Sequence, residues 1–267
     1  MSALRLFPDA MSVRNFDDLL FNVSAGRIPS SQAFTINKFG QNLDIDSTKA
    51  DVWAAGGTKT DTSSADALEV LSADAADDGD PAGTGARTVR IFGYDSNTSL
   101  ISEDVTMNGV TAVETTQQFL DVYRAFVLTA GSGVYNAGAI TIRQKTGPVT
   151  VASIPAGYGQ TQMSHFIIPS GFSGFFLGGN ASIGGIQGGG GVRIGDLHLE
   201  VKTNGGTWRI TDTFGGTSNS GIIPLNLRSP LKFDELTHVK ASCTAETANT
   251  RAYAQYEVLV ISENLLW

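Results

Sequence analysis

Between Ala50 and Ile154 apolar residues return at every second position in short runs parted by turn-forming clusters. The runs are ADVWAA (50–55), DALEVLSA (66–73), ARTVRIFGYD (86–95), LISEDVTM (100–107), LDVYRAFVLTA (120–130), AITIRQK (139–145) and VTVASI (149–154). Alternation of this kind puts one face of a strand on a core, and Val, Ile and aromatic residues fill the pleated surface well. Seven such runs with no helical period between them predict an antiparallel β-sandwich. A second set follows: MSHFII, FSGFFLGG, VRIGDLHLEVKT, TWRITDTF, IIPLNLR, LTHVKASC and TRAYAQYEVLVIS. Pro155, Gly157 and Gly159 interrupt the pattern between the sets, which predicts modules at 47–156 and 157–267 in an all-β chain. Within VRIGDLHLEVK the apolar phase slips between Ile194 and Leu197, so a β-bulge is expected at Gly195–Asp196. Asn108-Gly109, flanked by Met107 and Val110, reads as a hairpin turn.

Residues 1–46 follow another rule. Phe16, Leu19, Leu20 and Val23 fall at i, i+3, i+4 and i+7, with Asn15 placed to cap, Asp17 and Asp18 in the first turn and Gly26 after the end. This spacing predicts one short amphipathic helix. RIPSSQAFTINKFGQNLDID then mixes Pro29 and polar residues with Phe34, Ile36 and Phe39, as an extended arm would. Fixing such an arm costs about 1–2 kcal/mol per residue, so it must bury itself on the body or on a neighbouring chain.

Composition narrows the function classes. Hydrophobic residues are 41% and charged residues 16%, against a usual charged share of about 25%, which argues against disorder and against a coiled coil. The net charge of −8 repels a polyanion, so nucleic acid is not an expected partner. Residues 1–150 carry 11 basic and 18 acidic side chains and residues 151–267 carry 7 and 8, a difference that suits two modules. Cys243 is the single cysteine, which excludes an internal disulfide framework and a multi-thiolate metal site. No apolar run reaches the length of a membrane helix, and MSALRLFPDAMSVRNFDD lacks a basic opening before an apolar stretch, so synthesis in a cytoplasm without export is expected.

Catalytic chemistry finds little support. His165, His198 and His238 each sit inside a β-run, are expected at solvent or at an interface, and have no G-x-S-x-G elbow to serve. They are 33 and 40 residues apart with no H-E-x-x-H, which disfavours zinc. Asp74, Asp77, Asp78 and Asp80 share a loop and are the best calcium candidate, but lack the regular spacing and distal Glu of a dedicated loop and read as a solvated turn. The Gly-rich segments lead into strands rather than helices, so they do not form phosphate cradles. Glu103, Asp104, Glu200, Asp234 and Glu235 could pair for glycoside hydrolysis, yet nothing in their spacing ranks them. Trp208, beside the flexible NGG of NGGTWRI, is the candidate glycan contact. No enzyme, no cofactor and no metal is expected.

The block from Phe39-Gly40-x-Asn42 through Val52-Trp53-x-x-Gly56-Gly57, then Ser72, Asp77–Gly79, GTGARTVRIFGYD, EDVTMNG and AGSGVYNAGAITIR, resembles virion structural proteins of tailed phages infecting aquatic bacteria. A second block is similar to their second module: Gln162-x-x-x-Phe166-x-Ile168-Pro169-x-Gly171, a Gly-rich stretch, Trp208-Arg209, Pro230-Leu231 and the last β-run. Together the blocks span roughly residues 35–262. The resemblance implies jelly-roll-like sandwiches and a capsid decoration (cement) protein, a homotrimer that clamps neighbouring major capsid protein subunits in the virion after assembly in the host cytoplasm. It carries over no catalytic residue. On this reading Phe16, Leu19, Leu20, Val23, Phe34, Ile36 and Phe39 are partner contacts, with Leu265, Leu266 and Trp267 as a C-terminal anchor. The alternative is a tail or vertex adhesin that holds host surface polysaccharide through Trp208 and the Gly-rich loops.

Overall fold

The computed structural model describes residues 16–185 and 191–266, and of Phe16 and Asp17 the backbone alone. Helix α1 (Phe16–Ser24) leads into β1 (Ala33–Ile45) and β2 (Ala50–Asp51). Then come β3 (Asp66–Ser72), β4 (Ala86–Tyr94), β5 (Leu100–Thr106), β6 (Val113–Phe119), β7 (Asp121–Ala130), β8 (Ile140–Gln144) and β9 (Thr150–Ile154). The chain continues through β10 (Phe166–Ile167), β11 (Phe172–Gly184), β12 (Ile194–Lys202), β13 (Arg209–Thr217), β14 (Ile223–Leu225), β15 (Leu231–Phe233), β16 (His238–Ala245) and β17 (Thr250–Ser262). The ladders are antiparallel, so the all-β sandwich class expected from the alternation holds.

Strands β3 to β9 build the first sandwich, with sheet β6-β3-β8-β9 facing sheet β5-β4-β7. Leu68, Val70, Val89, Ile91, Phe119, Ile140 and Ile142 fill the space between them with no exposure. The number of strands matches the expectation, but their membership does not. Residues 50–55 supply only the two-residue β2, which pairs with β16 of the other sandwich. The place is taken by β6, VETTQQF, whose polar outer face hides the strand; its Thr115 is buried and accepts the Leu68 N–H. Asn108-Gly109 is not a hairpin turn either. Strand β5 pairs with β4 and β6 with β3, so the turn carries the chain from one sheet to the other, with Gly109 at φ +56°.

The second sandwich stacks sheet β1-β17-β11-β14, with β15 also on β11, against sheet β10-β16-β12-β13, with β2 beside β16. Its core runs from Ile36, Phe176, Tyr256 and Val258 to Leu197, Cys243 and Ala252. Residues 33–45, read from sequence as part of an arm, are therefore a long strand of the body, in register with β17 from Ala33↔Ile261 to Asn42↔Ala252. The first sandwich is inserted between β2 and β10. The partition at 46 and 156 is corrected accordingly: β1 and β2 belong by pairing with the C-terminal strands. The two ends of the chain meet through side chains and ladder bonds that leave no local sequence signal. Gly40 marks the crossing, since a Cβ there would lie 2.1 Å from the Val52 carbonyl oxygen.

Strand β12 keeps its phase throughout. Gly195, Leu197, Leu199 and Val201 face inward while Ile194 faces out, 43% exposed. The irregularity lies further on, where Leu199 pairs with Asp212 and Glu200 with Ile210, leaving Thr211 of β13 as the extra residue.

Candidate interface groove

The junction between the sandwiches is charged, aromatic and buried. Lys59 Nζ reaches both carboxylate oxygens of Asp121 at 2.7 Å. The Tyr94 hydroxyl donates to the Ile167 carbonyl (2.7 Å) and accepts the Ile167 N–H (2.9 Å). Its ring stands 5.3 Å from Tyr123, which meets Phe166 edge-on at 5.7 Å. Nearby, Asp51 accepts from His165 Nε2 at 2.9 Å and Lys240 Nζ at 2.7 Å, all three side chains being buried. Pairing of this kind is what makes buried charge tolerable, and each partner depends on the other.

Burial governs the titration of these groups. It pushes His165 down against the opposing pull of Asp51, which its Nε2 meets, while its Nδ1 has no partner among the described residues. Burial opposes the Asp51 charge too, but the hydrogen bonds and charges of His165 and Lys240 outweigh it and hold the carboxyl below its ordinary value. Lys38 lies well below the usual lysine value because it is buried and because Arg124 is close; its ammonium donates to the Tyr123 carbonyl. His238 is pushed down to about 4 by burial, with Lys202 adding to the effect.

Held at this angle, the two sandwiches leave an open groove of about 450 Å³ between β1 and sheet β5-β4-β7. Phe34, Thr35, Ile36 and Asn37 form one wall, and Phe92, Tyr123, Phe126 and Leu100 the other. Phe92 stacks 5.6 Å from Phe126 and 6.1 Å from Tyr123, so the second wall is a tilted aromatic row. Strand β1 is the edge of its sheet, and its outer side first meets another strand segment at Phe39, which bridges Met163. Over residues 34–37 the backbone edge thus faces the groove, with the Asn37 carbonyl taken by Arg124. An edge of unpaired N–H and C=O groups beside an apolar wall is the physical requirement for adding a strand from another chain.

The expected contact residues are distributed unequally. Leu19 and Val23 are buried against Leu259 and Ile261 of β17, with Leu20, Leu265 and Leu266 packed on the same cluster, so the chain covers its own helix and C-terminal leucines. This corrects the reading of α1 and Leu265–Leu266 as surfaces kept for a neighbour. Ile36 is buried in the body. Phe34 is half-buried against Phe172 (5.9 Å) and lines the groove, and Phe39 lies under the Arg124 guanidinium at 5.5 Å. The Phe16 side chain and Trp267 are outside the described residues. Sequence reading missed Phe92, Tyr123 and Phe126. Tyr123 and Phe126 lie on β7, where DVYRAFVL carries apolar residues on both faces, the signal that its outer face is not fully solvated.

Trp208 is not a free stacking platform. Its indole N–H donates to Asp61 (3.0 Å), the Lys240 ammonium sits over the ring at 4.2 Å, and His238 meets it edge-on at 6.0 Å. Of the three histidines, His165 departs from the expectation, since it is buried beside the Asp51–Lys240 ion pair. In the acidic loop Asp77 has no exposure and accepts the N–H groups of Ala86 (2.7 Å), Ala137 (2.7 Å) and Gly138 (2.9 Å) as well as the Ser72 hydroxyl (2.5 Å). Asp74 and Asp78 each accept a backbone N–H two residues on. Among the described residues no cluster of three His, Cys, Asp or Glu side chains is arranged to hold a metal ion. No helix among the described residues is long and apolar enough to cross a membrane.

No family model and no curated protein matches the chain. Among solved structures it is similar to a chain of infectious bursal disease virus, Gt strain, at 12% identity and a TM-score of 0.22, covering 86% of this chain and 73% of that one. A chain of the T=1 particles derived from infectious bursal virus gives 12% identity and a TM-score of 0.24 over 88% and 71%. Both neighbours are viral, and at these scores the likeness carries no argument about what this chain does.

Proposed function

We propose that the chain is a virion structural protein without enzymatic activity, a capsid decoration protein that holds neighbouring major capsid protein subunits. The observation that carries the reading is the groove between the sandwiches, where the edge of β1 over residues 34–37 runs beside the half-buried row of Phe92, Tyr123 and Phe126. It fits an extended apolar segment of a neighbouring subunit, whose backbone would add to β1 while its side chains cover the aromatic wall. The sequence resemblance to phage virion proteins points the same way. Three copies clamped around a local symmetry axis would multiply a modest contact through effective concentration. The grip on a neighbour, which the sequence places on α1 together with Phe34, Ile36 and Phe39, narrows in this reading to the groove that Phe34 and Ile36 line.

The test is sedimentation of the purified protein with empty capsids that lack it. Leu100→Asp and Phe126→Asp place a charge on the groove wall, and each is expected to abolish co-sedimentation without loss of the folded state by circular dichroism. Copy number then separates decoration, hundreds per particle, from a tail or vertex position at a small multiple of three or six. Co-sedimentation that survives both substitutions would remove the groove from the reading.

A further inference from the structure

The outer face of sheet β1-β17-β11 changes character half-way along. At one end Phe175, Leu177, Leu259 and Ile261 point outward and are covered by α1. At the other end half-buried Tyr253 and exposed Gln255 and Glu257 alternate with the inward Ala254, Tyr256 and Val258. The register sets three cross-strand rows on this open half: Asn37–Glu257–Gly178, Phe39–Gln255–Asn180 and Gln41–Tyr253–Ser182. Rows on one face are about 7 Å apart and strands about 4.8 Å apart, so the rows form a grid of polar groups with a ring at the middle of two adjacent sides. Two depressions of about 290 and 270 Å³ share Asn180 and Gln255 and make one continuous furrow. Gln162, Ile222 and Asn226 rise at its rim.

We infer that this furrow binds an uncharged polysaccharide. Amides dominate its polar lining, each offering two donors and a two-lone-pair acceptor, the combination that matches adjacent sugar hydroxyls. Among the described residues no side-chain hydrogen bond takes up Asn37, Asn180, Gln255 or Asn226. Buried Gln41, opposite Tyr253, also has an Nε2 without a partner among the described residues. Tyr253 and Phe39 supply apolar faces for the axial hydrogens of a sugar ring. Glu257 is the one charged side chain lining the two depressions; Arg124 stands at their β1 edge, engaged with the Asn37 carbonyl and the Phe39 ring, and with a net charge of −8 on the chain an acidic glycan or a nucleic acid is disfavoured. A protein partner would centre on a closed apolar patch, whereas the middle row here is Phe39, Gln255 and Asn180. The furrow adjoins the groove at Asn37, which lines both, and its middle and far rows lie beyond the groove wall.

Affinity electrophoresis of the full chain in native gels cast with dextran, laminarin or galactomannan, with alginate as the charged control, tests the assignment. Retardation by at least one uncharged polymer and none by alginate is expected. Tyr253→Ala and Asn180→Ala should each weaken that retardation about tenfold, as the loss of a central contact does, with melting temperature unchanged, while Trp208→Ala retains it. Migration unaffected by all three uncharged polymers, retardation by alginate alone, or retardation lost in Trp208→Ala and kept in Tyr253→Ala would each overturn it.

Discussion

At the scale of single residues, Asp77 shows how a loop is held by one carboxylate. One of its oxygens serves the N–H groups of Ala86 and Ala137, the other Gly138 and Ser72. Asp77→Ala leaves three backbone N–H groups and the Ser72 hydroxyl without their acceptor, and at about 1–3 kcal/mol for each unpaired buried group the loss should be about 3 kcal/mol or more in urea denaturation. Asp77→Asn keeps one acceptor oxygen and should lose less, and equal losses for the two variants would show that the acceptors are not what matters. Gly40 is a matter of space instead. Its neighbours are backbone atoms of Val52 and Ser164, which cannot turn aside, so Gly40→Ala should cost about 1–3 kcal/mol by overpacking in the same assay.

Among the elements, α1 and β1 divide the work that the sequence assigned jointly to an arm. Burial of Leu19 on β17 predicts a loss of about 2–4 kcal/mol for Leu19→Ala, whereas Phe21, 61% exposed on the other side of the helix, should tolerate Ala within about 0.5 kcal/mol. The two chemical denaturation midpoints report the difference directly. Truncation gives a coarser test. A chain starting at residue 27 loses α1 but keeps β1, and should still fold with a lower melting temperature. One starting at residue 47 removes the partner of β17 and uncovers Ile36's place in the core, so it should lose the second sandwich, seen as collapse of its amide dispersion in NMR spectra.

For the whole molecule, acid should act on the buried polar groups near the junction. His238 titrates near 4 in the folded chain and near 6.5 when unfolded, because burial and then Lys202 disfavour its charge. Between those values the unfolded state binds the extra proton, so stability falls as pH drops from about 6.5 to about 4. His165, also lowered by burial, adds in the same direction. Asp51 and Asp61 titrate below their ordinary value despite burial, through His165 and Lys240 for the first and Lys202 for the second. Their contribution is present above 3.8 and is lost as pH falls through the lower folded values. Melting temperature should therefore decline from pH 7 to pH 4, and His238→Gln should flatten the decline; an unchanged slope in that variant would locate the linked protons elsewhere.

Alternation at period two is a property of neighbouring residues, so the all-β class, most strands of both sandwiches and the α1 period were legible in the sequence by itself. DALEVLSA and TRAYAQYEVLVIS became β3 and β17 nearly as read. Strand β6 was hidden because its outer residues and Thr115 are polar, although Leu68 needs that hydroxyl. What only the tertiary structure decided is which strand lies beside which. The pairing of β1 with β17 joins the ends of the chain, and the groove, the furrow and the Asp51–His165–Lys240 cluster all arise where segments distant in sequence meet. Such contacts are selected by burial and hydrogen-bond satisfaction summed over the folded chain, which no local window of residues contains.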